Sequence, residues 1–375
     1  SKDLTIGQDW LEEAETDTAD RLESDLFRED EGSEPQSGWT NTADGAPFGE
    51  KDLSAQSDTA FSCGYSQLSG DEQQLYREIL NSLLSCQEET ELSVKDPEMV
   101  ERVFRYVMAD HPEIFYADGY EVTTYRLGTE LRRITFTGTW TLESDEVLSR
   151  RAQLEAAAAL WLEGLPDGTD DFEKAKYIYD ALILRTEYEQ GSADSQTICS
   201  VLLNQRSVCQ GYAKTFQYLC QLAGIPAMLV TGDVNGEGHA WNIVFLDGDW
   251  YYIDPTWGDA SYQREEGEET PALTETVNYD YFCVTTQEIE RTHSMDDNQL
   301  LPVCNAVQDQ YYRHEGLYLQ SADKEKIDEI FARAAQKGAP MVCFQCADDT
   351  VYQEVYRLLI EEQGIFAYLP ESETT

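Results

Sequence analysis

The sequence predicts an α+β fold in which a helical layer packs on an antiparallel sheet. Three observations lead there. Capped apolar helix patterns recur through residues 69–165. One further helical pattern, AKTFQYLCQLAGIP, stops at Gly224 and Pro226. It leads into a pair of strands joined across Asp247-Gly248, a strong two-residue hairpin signal. Four stretches follow from composition and punctuation: an acidic flexible leader at 1–62, an N-terminal α/β region at 63–165, a core at 166–300 and a small C-terminal α/β unit at 301–375.

The leader is rich in Asp, Glu, Ser, Thr and Gly, and buries too little apolar surface to offset the entropy of ordering. Within it, DWLEEAETDTADRLESDLF has the pattern of a transient amphipathic helix. After it, Ser69-x-x-Glu72 is a capping box followed by Leu75, Ile79 and Leu83 at helical spacing. Asp96-Pro97 caps a second helix carrying Val100, Val103, Phe104 and Val107, with His111 at its end. EIFYADGYEVTTYRL and LRRITFTGTW read as strands, and RRAQLEAAAALWLEGLP as a closing helix.

Two helices are expected over 169–206. The first starts at Asp170-x-x-Glu173 and runs to Tyr188; the second includes Gln196, Ile198 and Leu202. MLVTGDVNGEGHAW reads as a strand and a Gly-rich loop ahead of the hairpin. VNYDYFCV is a further strand, with a short helix after Thr286. In the C-terminal unit a hairpin turns at Glu315-Gly316, and helices and strands alternate to a last strand IFAYL. His293 and His314 are expected at the surface.

The chain has 375 residues, room for two or three domains, with 73 acidic against 26 basic residues and a net charge of −47. Residues 1–60 hold 17 acidic and 4 basic side chains, so about −34 remains on the rest. That field argues against nucleic acid and against docking on anionic membranes, and it suits cationic protein segments. No apolar run reaches the ~18–20 residues that span a bilayer. The best, LEAAAALWL, is short and carries Glu155. The chain begins Ser-Lys, as a trimmed product would, and a signal or lipid anchor ahead of it is compatible with the sequence. Nine cysteines are scattered without a disulfide spacing. Cys343 and Cys346 form a CxxC placed in or at the end of a strand, where alternate side chains point apart. No metal and no organic cofactor is implied.

The chemistry concentrates in SVCQGYAKTF, GEGHAWNIVF and WYYIDPTWGD. Cys209 stands at or just before a helix N-terminus, where unpaired N–H groups and the helix dipole favour a thiolate. If Leu246 pairs with Asp249, His239 faces Thr256 and Asp254 lies diagonally on the same sheet face. A one-residue slip would send Asp254 to the other face. In this register the carboxylate orients the imidazole and the imidazole takes the thiol proton. Each residue alone has an ordinary reading as a buried thiol, a core histidine or an Asp-Pro turn. Gln196, upstream of Cys209, is a candidate oxyanion donor or a helix-cap residue. Trp241 and Trp257 flank His239 and Asp254 as cleft walls or as hairpin packing.

Over roughly residues 165–260, VCQGYAKTF, GHAWNIV and WYYIDPTWGD, in this order and spacing, resemble the core of the transglutaminase-like superfamily. The resemblance implies a papain-like core with Cys209 as nucleophile, His239 as general base and Asp254 as orienting carboxylate. It implies a cysteine-dependent enzyme acting on amide bonds of a protein or peptide through a thioester, as protease, amidase or transglutaminase-like acyl transferase. The acidic leader ahead of the core looks like that of secreted or lipid-anchored bacterial members, so an extracellular or cell-surface location is expected. The contrasting reading is a non-catalytic cell-surface binding module of the same fold. Oligomeric state is not encoded in any feature of the sequence.

Overall fold

The structure, a computed structural model, describes residues 2–7, 63–165, 168–259, 277–339 and 341–368. Its first part runs β1 (Lys2–Gly7), α1 (Cys63–Gln67), α2 (Gly70–Leu84), β2 (Thr90–Glu91), α3 (Pro97–Asp110), β3 (Ala117–Leu127), β4 (Glu130–Trp140) and α4 (Ser144–Leu162). The central part follows with α5 (Asp171–Arg185), β5 (Glu187–Tyr188), α6 (Ile198–Asn204), β6 (Arg206–Ser207), α7 (Cys209–Leu222), β7 (Ala227–Val234), β8 (Glu237–Leu246), β9 (Asp249–Ile253), α8 (Pro255–Gly258), β10 (Phe282–Val284), α9 (Thr286–Ile289) and β11 (Ser294–Met295). The chain ends with α10 (Tyr311–His314), β12 (Tyr318–Leu319), α11 (Lys324–Gln336), β13 (Gln345–Cys346) and α12 (Asp349–Tyr356), then a π turn and a 3₁₀ turn to Ala367. The fold is α+β, with antiparallel main sheets. Among the described residues no helix is long and apolar enough to cross a membrane.

The start signals act where the sequence places them. Glu72 accepts from the Ser69 N–H at 3.3 Å to close the box on α2, and Asp96 accepts from Glu98 N at 3.1 Å with Pro97 at the first position of α3. Asp170 caps α5 through Glu173 N at 2.9 Å. That helix stops at Arg185, short of Tyr188, because residues 187–188 pair in parallel with β6 instead.

The first sheet has the order β1-β3-β4-β2. Its outer strand falls within the expected flexible leader, so residues 2–7 are not free tether. They pair antiparallel along β3 from Lys2↔Tyr125 to Gly7↔Tyr120. An open strand edge is a row of unmet N–H and C=O groups, which this segment satisfies. The amphipathic stretch 9–27 lies outside the described residues.

The second sheet is five-stranded in the order β10-β9-β8-β7-β11. The Asp247-Gly248 turn has φ of +48° and +99°, and Leu246 pairs with Asp249 as the hairpin signal requires. The expected Gly-rich loop before His239 is a second two-residue turn. Asn235 and Gly236 both take positive φ, and pairing continues up to Val234↔Glu237. Asn-Gly is the residue pair such a turn favours, so the strand run persists to the tip.

α7 lies across this sheet with most of its residues buried. Buried Asn242 of β8 donates from Nδ2 to Ala213 O at 3.0 Å, and Gln217 of α7 donates from Nε2 to Ala109 O at 2.6 Å and Ala227 O at 3.1 Å. These bonds tie helix, sheet and the end of α3 together. The division expected at 165/166 therefore falls inside one continuous core, which runs from Cys63 to Cys304. A second, smaller core holds the C-terminal unit through Leu319, Ile327, Ile330, Val351, Val355 and Leu359. In it the expected hairpin at Glu315-Gly316 is absent. Residues 311–314 are helical, and β12 pairs in parallel with β13 across the intervening α11. The expected last strand is a 3₁₀ turn at Gly364–Ala367.

Candidate active site

Cys209 is the first residue of α7, after an extended Val208. No side chain caps this helix and no acidic residue stands in its first turn, so the positive end of the dipole is left uncompensated beside the sulfur. The chain reaches this point through a tight crossing. A Cβ on Gly211 would lie 1.8 Å from Ser207 Oγ and 2.9 Å from Ser195 O. Only a bare backbone lets the first turn of α7 settle against those two serines.

His239 sits on β8, opposite Gly232 of β7. The expected facing of His239 and Thr256 does not form, because β9 ends at Ile253 and Pro255, which has no N–H, starts α8. The register nonetheless brings Asp254 to the right face. Its Oδ2 accepts from His239 Nε2–H at 2.8 Å, and its Oδ1 accepts from Thr256 N at 2.9 Å and Trp257 N at 3.1 Å, capping α8. The other ring nitrogen of His239 is free to face Cys209, whose side chain is in hydrogen-bond contact with the imidazole. The structure thus brings Cys209, His239 and Asp254 together, all of them buried.

The electrostatics follow from burial against charge. Burial alone would push the His239 imidazole down, but the Asp254 carboxylate, its hydrogen bond and the Cys209 side chain together hold it up at about 10. Burial would raise Asp254. The facing His239 charge and hydrogen bonds from two imidazoles reverse that and hold the carboxyl well below the usual carboxylate range. An imidazolium steadied by a carboxylate, in contact with the Cys209 sulfur at a helix N-terminus, is equipped to keep a proton on the ring and give it to a leaving group.

The second imidazole was not expected. His293, read from the sequence as a surface residue, is 2% exposed and donates from Nε2 to Asp254 Oδ2 at 2.9 Å. It follows α9 and precedes β11, which pairs with β7 at Met295↔Gly232. No motif marks it, since it lies 39 residues beyond Asp254 and its position depends on a two-residue strand. His111 caps the end of α3 as expected, and His314 is exposed on one side while stacking on Phe172 at 3.5 Å.

Gln196 precedes the N-cap Thr197 of α6 rather than lying within a helix, because Thr197 takes the cap by accepting from Cys199 N. Its backbone carbonyl accepts from Lys214 Nζ at 2.8 Å, and its side-chain Oε1 is buried without a hydrogen-bond partner among the described residues. Trp241 is wholly buried and stacks behind His239 with ring centres 5.9 Å apart, so it packs the sheet and does not wall an open cleft. Trp257 is half-buried against Tyr281 at 4.9 Å and His293 at 5.1 Å.

His239, Asp254 and His293 offer ligand atoms within 4.8 Å of one another, a set that could hold a metal ion. Four N–H donors already satisfy both Asp254 oxygens, so the cluster is complete as a hydrogen-bonded array and an ion would have to displace two of them.

A bare Gly232 is part of this arrangement. A Cβ there would lie 2.0 Å from Ser294 O and 2.8 Å from the Trp241 ring. The first neighbour is backbone and cannot swing aside. Gly232→Ala is therefore expected to cost about 2–4 kcal/mol, by forcing β11 off β7. Urea unfolding of the variant checks this, with an unchanged midpoint as the contrary outcome.

Residues 162–255 match the family model of the transglutaminase-like superfamily. The chain therefore carries a transglutaminase-like core. Among curated relatives, human kyphoscoliosis peptidase is 33% identical over 111 residues, 25% of this chain and 17% of that protein, and the mouse protein is 32% identical over the same length. The chain thus spans under a fifth of the length of these relatives. Similar solved structures include a TGase at 14% identity, covering 39% of this chain and 46% of that one with a TM-score of 0.28. Another is the periplasmic domain of TgpA from Pseudomonas aeruginosa at 15% identity, covering 38% and 73% with a TM-score of 0.21.

Proposed function

We propose that this protein is a cysteine-dependent enzyme that cleaves or transfers amide bonds of a protein or peptide through a thioester. The observation that carries the reading is the buried array of Cys209 at the start of α7, His239 in contact with it and Asp254 bonded to His239 at 2.8 Å. The family match over residues 162–255 supports it, as does the peptidase named among the relatives.

In the first half-reaction the Cys209 sulfur, its proton held on His239, attacks the carboxamide carbon as a thiolate and a C–S bond forms. The carbonyl π electrons move to oxygen, beside the N–H groups that open α7. As the oxyanion collapses, the C–N bond breaks and His239 passes its proton to the leaving nitrogen. In the second half, water or an amine gives a proton to His239 and attacks the thioester. The carboxylic acid or new amide leaves and the sulfur is restored. Asp254 keeps the ring aligned in both halves. Gln196, beside the serines that pack on α7, is the proposed side-chain donor to the oxyanion. The strong negative charge of the chain favours substrates with cationic segments.

The test is alkylation of Cys209 by iodoacetamide at pH 6, followed by peptide mapping, alongside release of product from casein and glutamine-peptide panels with and without a primary amine. Labelling faster than that of an ordinary free thiol is expected, with amine incorporation distinguishing transfer from hydrolysis. A rate at or below that of a free thiol would overturn the reading.

A further inference from the structure

His293 belongs to none of the three sequence motifs, yet both its ring nitrogens are engaged. Nε2 meets Asp254 Oδ2 at 2.9 Å and Nδ1 meets Thr292 Oγ1 at 2.7 Å. An ionised carboxylate only accepts, so both imidazoles must donate to the shared oxygen. That fixes neutral His293 as the Nε2–H tautomer, with the Thr292 hydroxyl donating to Nδ1. Trp241, Trp257 and Tyr281 flank the ring at centre distances of 4.9, 5.1 and 5.4 Å. The backbone is held as firmly: His293 N donates to Ile289 O at 3.0 Å after the capped α9, and the next residue pairs with Asp233 of β7.

Asp254 is consequently held at both oxygens by groups other than His239. Oδ1 is fixed by two backbone N–H groups and Oδ2 by His293. In the reaction His239 must gain and lose a proton, and a carboxylate restrained only by that ring would be free to swing when the charge on the ring disappears. A second donor on Oδ2 removes this freedom.

We propose that His293 is a positioning residue of the reaction: it anchors Asp254 Oδ2 through Nε2–H, so that the carboxylate keeps its orientation toward His239 throughout the proton cycle. The inference rests on the cysteine-enzyme reading above for its consequence, and on the hydrogen bonds alone for its geometry.

His293→Phe keeps a ring in the aromatic cage and removes the donor, and His293→Gln can return an N–H near the position of Nε2. With a peptide substrate, His293→Phe is expected to lower kcat/KM about 10–100-fold, chiefly through kcat, by analogy with removal of the groups that orient a catalytic ligand. The acidic limb of its pH profile should move upward, because Asp254 loses a group that favours its charged form. His293→Gln should recover most of the loss. Thr292→Val, which frees Nδ1 of its donor, should give a smaller loss of a few-fold. Where the Phe variant does not fold, the Gln and Val variants carry the comparison. Folded variants with wild-type kcat and an unmoved acidic limb would overturn the proposal.

Nitrogen-15 histidine NMR of the wild-type protein needs no activity. A protonated Nε2 with bare Nδ1 on His293 supports the array, and the opposite tautomer overturns it. Slow wild-type alkylation of Cys209 combined with the expected tautomer would sink the enzyme reading while leaving the anchoring of Asp254 in place.

Discussion

Cys209→Ala is expected to lower kcat/KM on a peptide substrate by at least about 10⁴-fold while leaving the fold intact. The size of the loss follows from covalent catalysis. Without the sulfur no thioester forms, and what remains is binding and the N–H groups at the start of α7, which in other nucleophile knockouts leave only a small residue of the rate. The side chain is 9% exposed at the edge of the core, so deleting one sulfur leaves a small void and costs about 1 kcal/mol or less. Activity and stability should therefore separate. Steady-state kinetics and a thermal melt of the same sample measure both. Retained turnover in the alanine variant would show that the sulfur is not the nucleophile.

Asp254→Asn is expected to affect activity and stability together. The carboxylate accepts four N–H bonds in a site with no solvent exposure. An asparagine offers one acceptor oxygen and turns an NH₂ toward N–H groups. Loss of one partner of a buried charged pair costs about 3–5 kcal/mol, and loss of ring alignment lowers kcat by about 10⁴ where the geometry of the remaining pair survives.

The pH dependence gives this prediction a signature. The Asp254 carboxyl is held low in the folded chain, so its contribution is complete above the unfolded value near 4 and fades as pH falls below it. His239 is held high, at about 10, so its contribution is complete below the unfolded value near 6.5 and is lost as pH rises toward 10. These are two sides of one interaction. The stability gap between wild type and Asp254→Asn should be widest between about pH 4 and 6.5 and narrow on both sides. Urea unfolding across pH 3–10 measures it, and a gap that does not vary with pH would mean that the charge is not what the site stabilises.

Much of the fold was legible because its signals are local. Ser69 and Glu72, Asp96 and Pro97, and Asp170 and Glu173 set helix starts through bonds spanning a few residues. The Asp247-Gly248 turn fixed the strand register that carries His239 and Asp254 to one face. The errors came where a short segment finds a distant partner. Residues 2–7 join β3, residues 187–188 join β6 and so shorten α5, and β12 finds β13 across α11 rather than folding back on its own neighbours. Two-residue pairings leave no periodicity to read.

The candidate site divides along the same line. By itself the sequence determined the placement of Cys209 at a helix start and the register that delivers Asp254 to His239, because helix caps and hairpin turns are written in adjacent residues. Only the tertiary structure decided that His293 is buried on Asp254, that Trp241 lies behind the imidazole and that Gly232 must stay bare to admit them. Those facts depend on β11 meeting the outer edge of β7, a contact between segments some sixty residues apart whose energy belongs to the packed assembly and to neither segment alone.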